Sequence, residues 1–311
     1  MGKYILKRIL MIIPIILGVA VLIFTIMYFT PGNPAQVMLG TSASQAQIKA
    51  LEAQLGLDQP YIVQLLRFLK ELFLEWNVGI SYMNQTSVMG EIIKRLPRTL
   101  ILSSVCVLTQ LVVAIPLGVS AAFHQNKWQD ALCTLVSVVG SSVPGFWLAL
   151  MMIMLFSNKL HWLPSYGIGS FWHWIMPCIA VCVAGLGAIA RQTRSQMLEV
   201  IRSDYIVTAR AKGMPEKQIK YRHALPNALI PVITGIGNSF GISLGGTVVI
   251  ETAFSIPGVG LYMVQAIGNR DLPVIRGGVV VIAILFSVVI LAVDLIYAFI
   301  DPRVKAQYEK S

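Results

Sequence analysis

Six long runs of apolar residues divide the 311-residue chain, with polar segments between them. A membrane-spanning helix needs about 20 apolar residues, because each adds about 1.5 Å and the hydrocarbon layer is about 30 Å thick. The six predicted spans are Ile9–Phe29, Thr99–Phe123, Ala131–Ser157, Phe171–Ala190, Ala228–Ile250 and Gly277–Ile300. Inside them almost no side chain ionises, the exceptions being His173 and Asp294. The pattern predicts an all-α integral membrane protein with about six transmembrane helices.

Composition supports a membrane location. Only 12% of the residues are charged, against about 25% in an ordinary soluble domain. The formal net charge of +10 would raise the question of nucleic acid in a soluble protein. Here the basic residues lie between apolar spans and form no single basic face, which disfavours nucleic-acid binding. The first apolar run exceeds the 7–15 residues of a signal-peptide core, so we expect it to be a retained helix.

The distribution of Lys and Arg predicts the orientation, since short cytoplasmic loops carry an excess of both. The segment 191–228 holds eight of them: Arg191, Arg194, Arg202, Arg210, Lys212, Lys217, Lys220 and Arg222. The loop 158–170 holds only Lys159, and the loop 251–276 is close to balanced. We therefore expect both termini in the cytoplasm, with the chain crossing the cytoplasmic membrane several times.

Cysteine and histidine give no sign of a metal or redox centre. Cys106, Cys133, Cys178 and Cys182 all fall inside apolar runs and are expected to be packing residues. The four histidines are scattered without metal-ligand spacing. The sequence predicts no metal site, no catalytic residue and no cofactor in this chain.

We divide the chain into residues 1–29 (tail and first span), 30–98 (an extracytoplasmic helical insertion), 99–303 (a five-span core) and 304–311 (a cytoplasmic tail). In the insertion, Ser44 and Gln47 predict a capping box, and Gly56 a left-handed helix stop. A second helix is expected after Asp58 and Pro60. Its predicted apolar stripe is Ile62, Leu65, Leu66, Leu69, Leu72 and Phe73. The insertion is either a cap on the bundle or a docking surface, and the two are compatible.

The segment 204–228 predicts two short helices bent at a glycine. Good helix formers fill 205–212, Gly213 can take the positive φ that closes a helix, and Pro215 fits the first turn of the next. Pro226 is expected to end that second helix before the fifth span. Such a pair can be held by a cytoplasmic partner and can move the attached spans, although the alternative is an ordinary basic loop.

At this segment the chain resembles the permeases of ABC importers. Their signature is Glu-Ala-Ala, three residues, Gly, nine residues, then Ile-x-Leu-Pro. Ala209, Gly213, Leu225 and Pro226 match it, whereas the glutamate, the first alanine and the isoleucine do not. Those departures resemble the dipeptide/oligopeptide/nickel branch (DppB/OppB type), with "YIVTARAKG" and "RHALPNALIPV" here. Similar stretches are "LGLDQP" at 55–60, "LPSYG" at 163–167, "GGTVVIETAFSIPGVG" at 245–260, "RDLPVI" at 270–275 and "DPR" at 301–303.

The resemblance implies the type I ABC importer permease fold and a set of partners. These are a second homologous permease, two cytoplasmic ATPases that bind ATP and Mg, and an extracytoplasmic solute-binding protein. It places an ATPase-coupling loop at 191–228. The candidate coupling residues are Thr208, Ala209, Lys212, Gly213, Met214, Pro215, His223, Leu225, Pro226 and Asn227. This chain lacks G-x-x-x-x-G-K-[ST], so we expect it to be no ATPase by itself.

Several residues of the spans leave two interpretations open. Gly237, Gly241 and Gly245 share one face of the fifth span, which predicts close helix packing. Asn238 and Ser243 either support that packing or line the pathway.

For Asp294, about 9 Å from the end of the sixth span, a structural ion-pair partner is favoured over a proton relay. Glu251 and Arg270 are expected to be solvated loop charges rather than contacts to peptide termini.

The predicted function is a permease subunit that forms half of a pathway for di- or oligopeptides. A permease for nickel or another metal chelate is the alternative within the family. A stand-alone secondary transporter or channel is the alternative from another class, and it predicts intramembrane charge chains or an inverted repeat.

Overall fold

The computed structural model describes the backbone of residues 2–40 and 42–300, and the side chains of residues 8–40, 42–293 and 295. In this part of the chain all regular secondary structure is helical, apart from one isolated antiparallel bridge between Ile80 and Ser87. The α-helices are α1 (Gly2–Phe29), α2 (Pro34–Leu39), α3 (Gln45–Leu55), α4 (Tyr61–Leu74), α5 (Val88–Thr109), α6 (Ile115–Phe123), α7 (Trp128–Ser142), α8 (Gly145–Met152), α9 (Trp172–Ile201), α10 (Asp204–Ala211), α11 (Glu216–Gln218), α12 (Leu225–Ala253), α13 (Val259–Gly268) and α14 (Leu272–Ile300). Three π-helical segments, Gln110–Ala114, Ile153–Lys159 and Ile219–Ala224, continue neighbouring helices.

Five helical stretches are long and apolar enough to cross a membrane. They are Arg8–Phe29, Val88–Phe123, Trp172–Ile201, Glu216–Ala253 and Leu272–Val293. A sixth crossing is made if Trp128–Ser142 and Gly145–Lys159 together form one broken span. The predicted fold class, an all-α membrane protein with about six spans, is confirmed.

The third predicted span, 131–157, is not one straight helix. α7 and the helix from Gly145 to Lys159 meet at an angle of 96°. Val143 adopts an extended backbone with φ −93° and ψ 115° directly before Pro144. A residue before proline is pushed out of the α region by the proline ring, which explains the break.

Two of the π-helical segments end two residues before a proline, Pro116 or Pro226. In both, the residue before the proline donates its N–H five residues back, Ile115 to the carbonyl of Gln110 and Leu225 to that of Lys220. Proline has no N–H, so an ordinary i→i−4 register would lose a bond at this point. The wider register shifts the carbonyl pairing and lets the helix continue through the proline.

The chain contains two compact units, which we describe one at a time. The first holds residues 99–256 with 2–5 and 288–300, and α9 lies at its centre. Glycines allow α6 and α7 to approach α9 closely. A Cβ on Gly118 would lie 2.5 Å from the Ala190 carbonyl oxygen, and a Cβ on Gly140 would lie 2.6 Å from that of Val183. These helices therefore pack backbone against backbone.

A bidentate ion pair also joins α7 to α9 in this unit. Arg194 Nε lies 2.5 Å from Asp130 Oδ1, and Arg194 Nη2 lies 2.9 Å from Asp130 Oδ2. The Asn126 N–H donates to the same carboxylate at 3.0 Å. Asp130 is buried, so these donors compensate its lost hydration.

The second unit holds residues 6–98 and 257–287. Its apolar core joins α1, α4, the start of α5, α13 and the start of α14, and its largest members include Phe24, Phe68, Ile92 and Tyr262. The insertion 30–98 thus packs with membrane-helix residues of the same unit. The domain boundaries given above stay a prediction.

Helix signals in the insertion were predicted correctly. The Ser44–Gln47 capping box is formed, and Gly56 closes α3 with φ 68°. The apolar stripe of α4 was partly wrong. Ile62 and Leu66 are 59% and 61% exposed, and the buried residues are Gln64, Phe68 and Leu72. Gln64 is buried because its amide donates to the carbonyls of Leu57 and Gln59, which close the turn before α4.

Candidate functional site

The predicted coupling loop contains the end of α9, the short helix α10 and the helical stretch that leads into α12. α9 runs to Ile201, eleven residues beyond the predicted end of the fourth span at Ala190. Arg202 and Ser203 then turn the chain, and α10 occupies 204–211. α10 is therefore held by a short turn at each end.

Gly213 ends α10 in a Schellman motif. Its φ is +74°, its N–H donates to the Arg210 carbonyl at 2.9 Å, and the Met214 N–H donates to the Ala209 carbonyl at 3.2 Å. Ala209 and Met214 also pack against the same apolar cluster, the contact that usually accompanies this motif. No atom lies within 4 Å of where a Cβ on Gly213 would be placed. The backbone dihedral, and not lack of space, demands glycine here.

An ion pair spans the glycine turn. Arg210 Nε lies 2.7 Å from Glu216 Oε1, and Arg210 Nη2 lies 3.3 Å from Glu216 Oε2. The two residues stand three positions before and three positions after Gly213. The bond to Glu216 raises the pKa of the Arg210 guanidinium above its usual range. The pair therefore connects the residues on either side of the glycine turn.

A small apolar cluster holds the loop against α6 and α9. Ile206 of α10 and Ile219 of the following π segment are fully buried, together with Met197 of α9. Val119 and Ala122 of α6 complete the contact. Each side of the Gly213 turn thus has one isoleucine anchor, while the turn itself stays exposed.

The predicted coupling residues fall into two groups. Those exposed are Thr208, Lys212, Gly213, Pro215, Pro226 and Asn227. Ala209, Met214 and Leu225 are partly buried in the apolar cluster, and His223 is half-buried. The Asn227 amide donates to the His223 carbonyl at 2.8 Å. Their role in coupling stays a prediction.

Sequence reasoning missed three exposed apolar side chains beside this group. Tyr205 and Val207 of α10 are 46% and 56% exposed, and Tyr221 is 54% exposed. Their spacing gave a signal, since an apolar residue beside the buried Ile206 on a short helix has to point elsewhere. Exposed aromatic residues of this kind are typical anchors of protein interfaces.

The second helix of the loop is not separate from the fifth span, which corrects the prediction for Pro226. Glu216–Ala253 is one continuous helical stretch, formed by α11, the π segment Ile219–Ala224 and α12. Pro226 lies in the first turn of α12 and ends no helix. The reason is the π register described above, which accommodates a proline without a break.

A cavity of about 480 Å³ opens along α12 in the first unit. Its polar lining comes from Gln192 of α9 and from Asn238, Ser239 and Ser243 of α12. Asn238 is exposed, whereas Ser243 is buried and donates to the Phe240 carbonyl at 2.7 Å. The described side chains that line this cavity are all uncharged. The pathway role of Asn238 and Ser243 stays a prediction.

Among the described residues, Gly237 of the fifth span forms the close helix contact that the spacing suggested, whereas Gly245 does not. A Cβ on Gly237 would meet the Val293 side chain at 2.6 Å, but one on Gly245 would meet nothing within 4 Å. Gly241 is half-buried. Backbone-to-backbone packing occurs instead at Gly118 and Gly140. A four-residue spacing marks a face of one helix, and whether a partner covers it depends on the fold.

Buried amide and carboxyl groups of this unit also escaped the sequence reasoning. Gln110 of the π segment is fully buried, and its Nε2 donates to Ser239 Oγ at 2.6 Å. Glu251 is fully buried and accepts a bond from Thr99 Oγ1 at 2.6 Å, so the expectation of a solvated loop charge is wrong. α12 extends to Ala253 and carries Glu251 into the protein.

Two further charged residues, Arg270 and Asp294, lie near the ends of α14. Arg270 is half-buried in the second unit and donates to the Pro31 carbonyl, so it is not simply solvated. Asp294 lies on α14, but its side chain is outside the described residues, as are Arg303 and the tail 304–311. The ion pair expected for Asp294 stays a prediction.

Known proteins match this chain along its whole length. Residues 114–306 match the family model of the binding-protein-dependent transport system inner membrane component, and residues 1–103 match the model of the N-terminal part of such components. The chain is 40% identical to the dipeptide transport system permease protein DppB of Alkalihalophilus pseudofirmus, covering 98% of this chain and 100% of that protein. It is 38% identical to the glutathione transport system permease protein GsiC of Salmonella paratyphi A, covering 98% and 99%.

Proposed function

This chain belongs to the family of inner membrane components of binding-protein-dependent transport systems, and we propose that it is the permease subunit of an ATP-driven importer of small peptides. The relatives named above are permeases for dipeptides and for glutathione, which is itself a short peptide. The chain is a transport permease and not an enzyme.

The observation that carries the proposal is the construction of the loop around Gly213. One exposed glycine turn separates two helical arms, each anchored by a buried isoleucine. Beside the turn lie Tyr205 and Val207, exposed apolar side chains on a surface otherwise rich in Lys and Arg. A cytoplasmic ATPase that binds this surface would hold the chain where α9 is joined to the helical stretch Glu216–Ala253.

The second arm transmits force because it continues into a membrane helix. Glu216–Ala253 has no break, so a displacement at Lys217 is passed along the helix axis to α12. The first arm is joined to α9 by the turn at Arg202 and Ser203 and by the packing of Ile206 with Met197, without a continuous helix. We therefore propose that α12 is the lever and that α10 is the element that the ATPase binds.

The proposed transporter contains further subunits besides this chain. Two homologous permeases form the pathway, two ATPases bind ATP and Mg, and an extracytoplasmic binding protein delivers the peptide. Both termini are cytoplasmic. ATP binding draws the two loops together and closes the inner gate, and hydrolysis resets the cycle. The uncharged cavity beside Asn238 is the part of the pathway that this chain contributes.

The test separates backbone conformation from bulk at the glycine turn. Gly213→Val places a β-branched residue at φ +74°, which costs on the order of 1–3 kcal/mol. Gly213→Asn adds a similar volume but tolerates the left-handed region. In the assembled complex we expect Gly213→Val to reduce peptide uptake and binding-protein-stimulated ATPase activity at least tenfold, and Gly213→Asn to retain most of both.

Equal activity of Gly213→Val and the original chain would remove the role of the turn. Loss of activity in Gly213→Asn as severe as in Gly213→Val would show that bulk, not conformation, matters. Accumulation of peptide against a gradient by the isolated chain in vesicles would reject the whole proposal, because only a stand-alone transporter predicts that result. Uptake of nickel chelates in place of peptides would favour the other substrate class.

A further inference from the structure

Two charged side chains of opposite sign line one cavity of the second unit. The cavity has a volume of about 420 Å³ and lies between α4, the 77–85 loop and the start of α14. Glu71 of α4 and Arg276 of α14 both line it, and both are half-buried. Among the described residues neither one forms an ion pair, and the Nε of Arg276 is buried without any hydrogen-bond partner.

Aromatic rings hold the Arg276 guanidinium in place. Its central carbon lies 4.4 Å from the ring centroid of Phe24 and 5.6 Å from that of Phe68. Both rings are buried in the core of this unit. Contact with ring faces stabilises the cation but leaves the N–H groups at the guanidinium edge without acceptors. Arg276 also lines a second cavity, of about 840 Å³, next to the first.

The neighbouring carboxylate cannot serve as its counterion. Asp271 is buried and already accepts bonds from Ser81 Oγ at 2.5 Å and from the Tyr82 N–H at 3.0 Å. The other cation that lines the cavity, Arg67, donates to Gln59 Oε1 at 2.5 Å. Glu71 acts on Arg276 through its charge but forms no ion pair with it, so the buried Nε of Arg276 still lacks an acceptor, and a bound anion would supply one.

A short peptide carries the complementary charges. Its α-carboxyl group has a pKa of about 3.3–3.7 and its α-amino group one of about 7.7–8.0, so it is a zwitterion near pH 7. An arginine fork matches a carboxylate with two parallel hydrogen bonds. A cavity of this volume lies in the usual range for small ligands, about 300–1,000 Å³.

We propose that this cavity is a binding site for the free termini of a short peptide, in which Arg276 binds the α-carboxylate and Glu71 the α-ammonium group. The inference rests on the proposed function, because it assigns a second peptide site to the permease itself. The insertion that forms most of the cavity is predicted to be extracytoplasmic. The site would hold a peptide on that side independently of the binding protein.

The test uses capped peptides to read each charge separately. The complete complex, purified through a tag on this chain, is placed in lipid nanodiscs without binding protein. Binding of radiolabelled dialanine, N-acetyl-dialanine and dialanine amide is measured by equilibrium dialysis. We expect the original complex to bind dialanine roughly tenfold or more tightly than either capped peptide, since each cap removes one charge-assisted bond.

Variants of Arg276 and Glu71 should distinguish binding of the peptide α-carboxylate from binding of its α-ammonium group. Arg276→Gln should abolish the preference for dialanine over its amide and keep the preference over the acetylated peptide. Glu71→Gln should do the reverse. Arg276→Lys keeps the charge without the fork and should bind dialanine with an intermediate affinity. Lys70→Gln and Glu75→Gln are the matched controls, because they remove exposed charges from the same region, 66% and 48% exposed, outside the cavity lining.

Equal binding of free and capped peptides by the original complex would overturn the site. So would an unchanged preference in both Arg276→Gln and Glu71→Gln. If Arg276→Gln does not fold, Glu71→Gln and Arg276→Lys decide, since neither removes the cation beside Phe24.

ATP-driven uptake of dialanine with the binding protein present is measured in parallel. Intact uptake without selective binding would reject this site alone, whereas loss of all peptide uptake by the original complex would reject the proposed function.

Discussion

At the scale of single residues, a glycine matters where another backbone occupies the space of its missing side chain. Gly140 and Gly245 show the contrast, since both lie within helices of the first unit. A Cβ on Gly140 would lie 2.6 Å from the Val183 carbonyl oxygen, whereas one on Gly245 would meet nothing within 4 Å. A carbonyl in the middle of a helix cannot move aside without disturbing its own hydrogen bond. The two glycines should therefore respond differently to the same substitution.

We predict that Gly140→Ala lowers the stability of the chain by about 1–3 kcal/mol, the usual cost of overpacking. Gly245→Ala should have little effect or should stabilise the helix by a few tenths of a kcal/mol, because alanine favours helices. Thermal unfolding of the purified complex in detergent measures both. Equal melting temperatures for the two variants would mean that α7 and α9 are not in close contact at Gly140.

Other residue contacts could not be predicted from the sequence, because the partners lie far apart along the chain. The partners in the Asp130–Arg194 ion pair and the Gln110–Ser239 bond are separated by 64 and 129 positions. No local pattern joins such residues, and only the packing of the helices brings them together. The capping box at Ser44 and the positive φ at Gly213 involve neighbours in the chain, and both were predicted from neighbouring residue types alone.

At the scale of elements, the arms beside Gly213 form one bent unit because an ion pair spans the turn. Arg210 and Glu216 are 39% and 61% exposed, so their pairing adds little to stability, well under about 1 kcal/mol. The pair nevertheless connects α10 to the start of the continuous helix of the fifth span, so we expect it to affect how the two arms move together. The effect of breaking it should appear in coupling and not in folding.

We predict that Arg210→Glu lowers binding-protein-stimulated ATPase activity several-fold, because two carboxylates then repel each other across the turn. The double variant Arg210→Glu/Glu216→Arg should restore at least half of the loss. Lys70→Glu, alone and with Glu75→Lys, is the control, because that pair is also exposed and spans no predicted coupling turn. Failure of the double variant to recover would mean that Arg210 acts through another partner, such as the ATPase surface.

A proline in the sequence does not by itself predict whether a helix ends there. Pro144 and Pro226 look alike in the sequence, yet one breaks a helix by 96° and the other lies within a continuous one. The difference is the register before the proline, α-helical at Pro144 and π-helical at Pro226. Ile219 and Ala224 of the π segment are buried in the apolar cluster, a contact that a linear pattern does not contain. Helix existence was therefore predictable, but helix continuity was not.

At the scale of the whole molecule, the number of crossings is fixed by the broken helix pair. Five stretches are long and apolar enough to cross, and the pair Trp128–Ser142 and Gly145–Lys159 adds a sixth crossing if it forms one span. Between Lys49 and Lys212 lie the stretch Val88–Phe123, this pair and the stretch Trp172–Ile201. Three crossings place the two lysines on opposite sides of the membrane. Two crossings, without the pair, place them on the same side.

We predict opposite sides, because only then do Lys3, Lys7 and Arg8 before the first span and the basic loop 191–228 both lie in the cytoplasm, as the positive-inside rule requires. Lys49→Cys and Lys212→Cys are matched variants, since each exchanges one exposed lysine for a thiol. The native cysteines give a low background because three are buried and Cys178 is half-buried. A membrane-impermeant maleimide should label Lys49→Cys in right-side-out vesicles and Lys212→Cys in inverted ones, with detergent-permeabilised vesicles as the control for total reactivity. Labelling of both variants from one side would show that the broken pair does not cross, and it would require either the insertion or the predicted coupling loop to change sides.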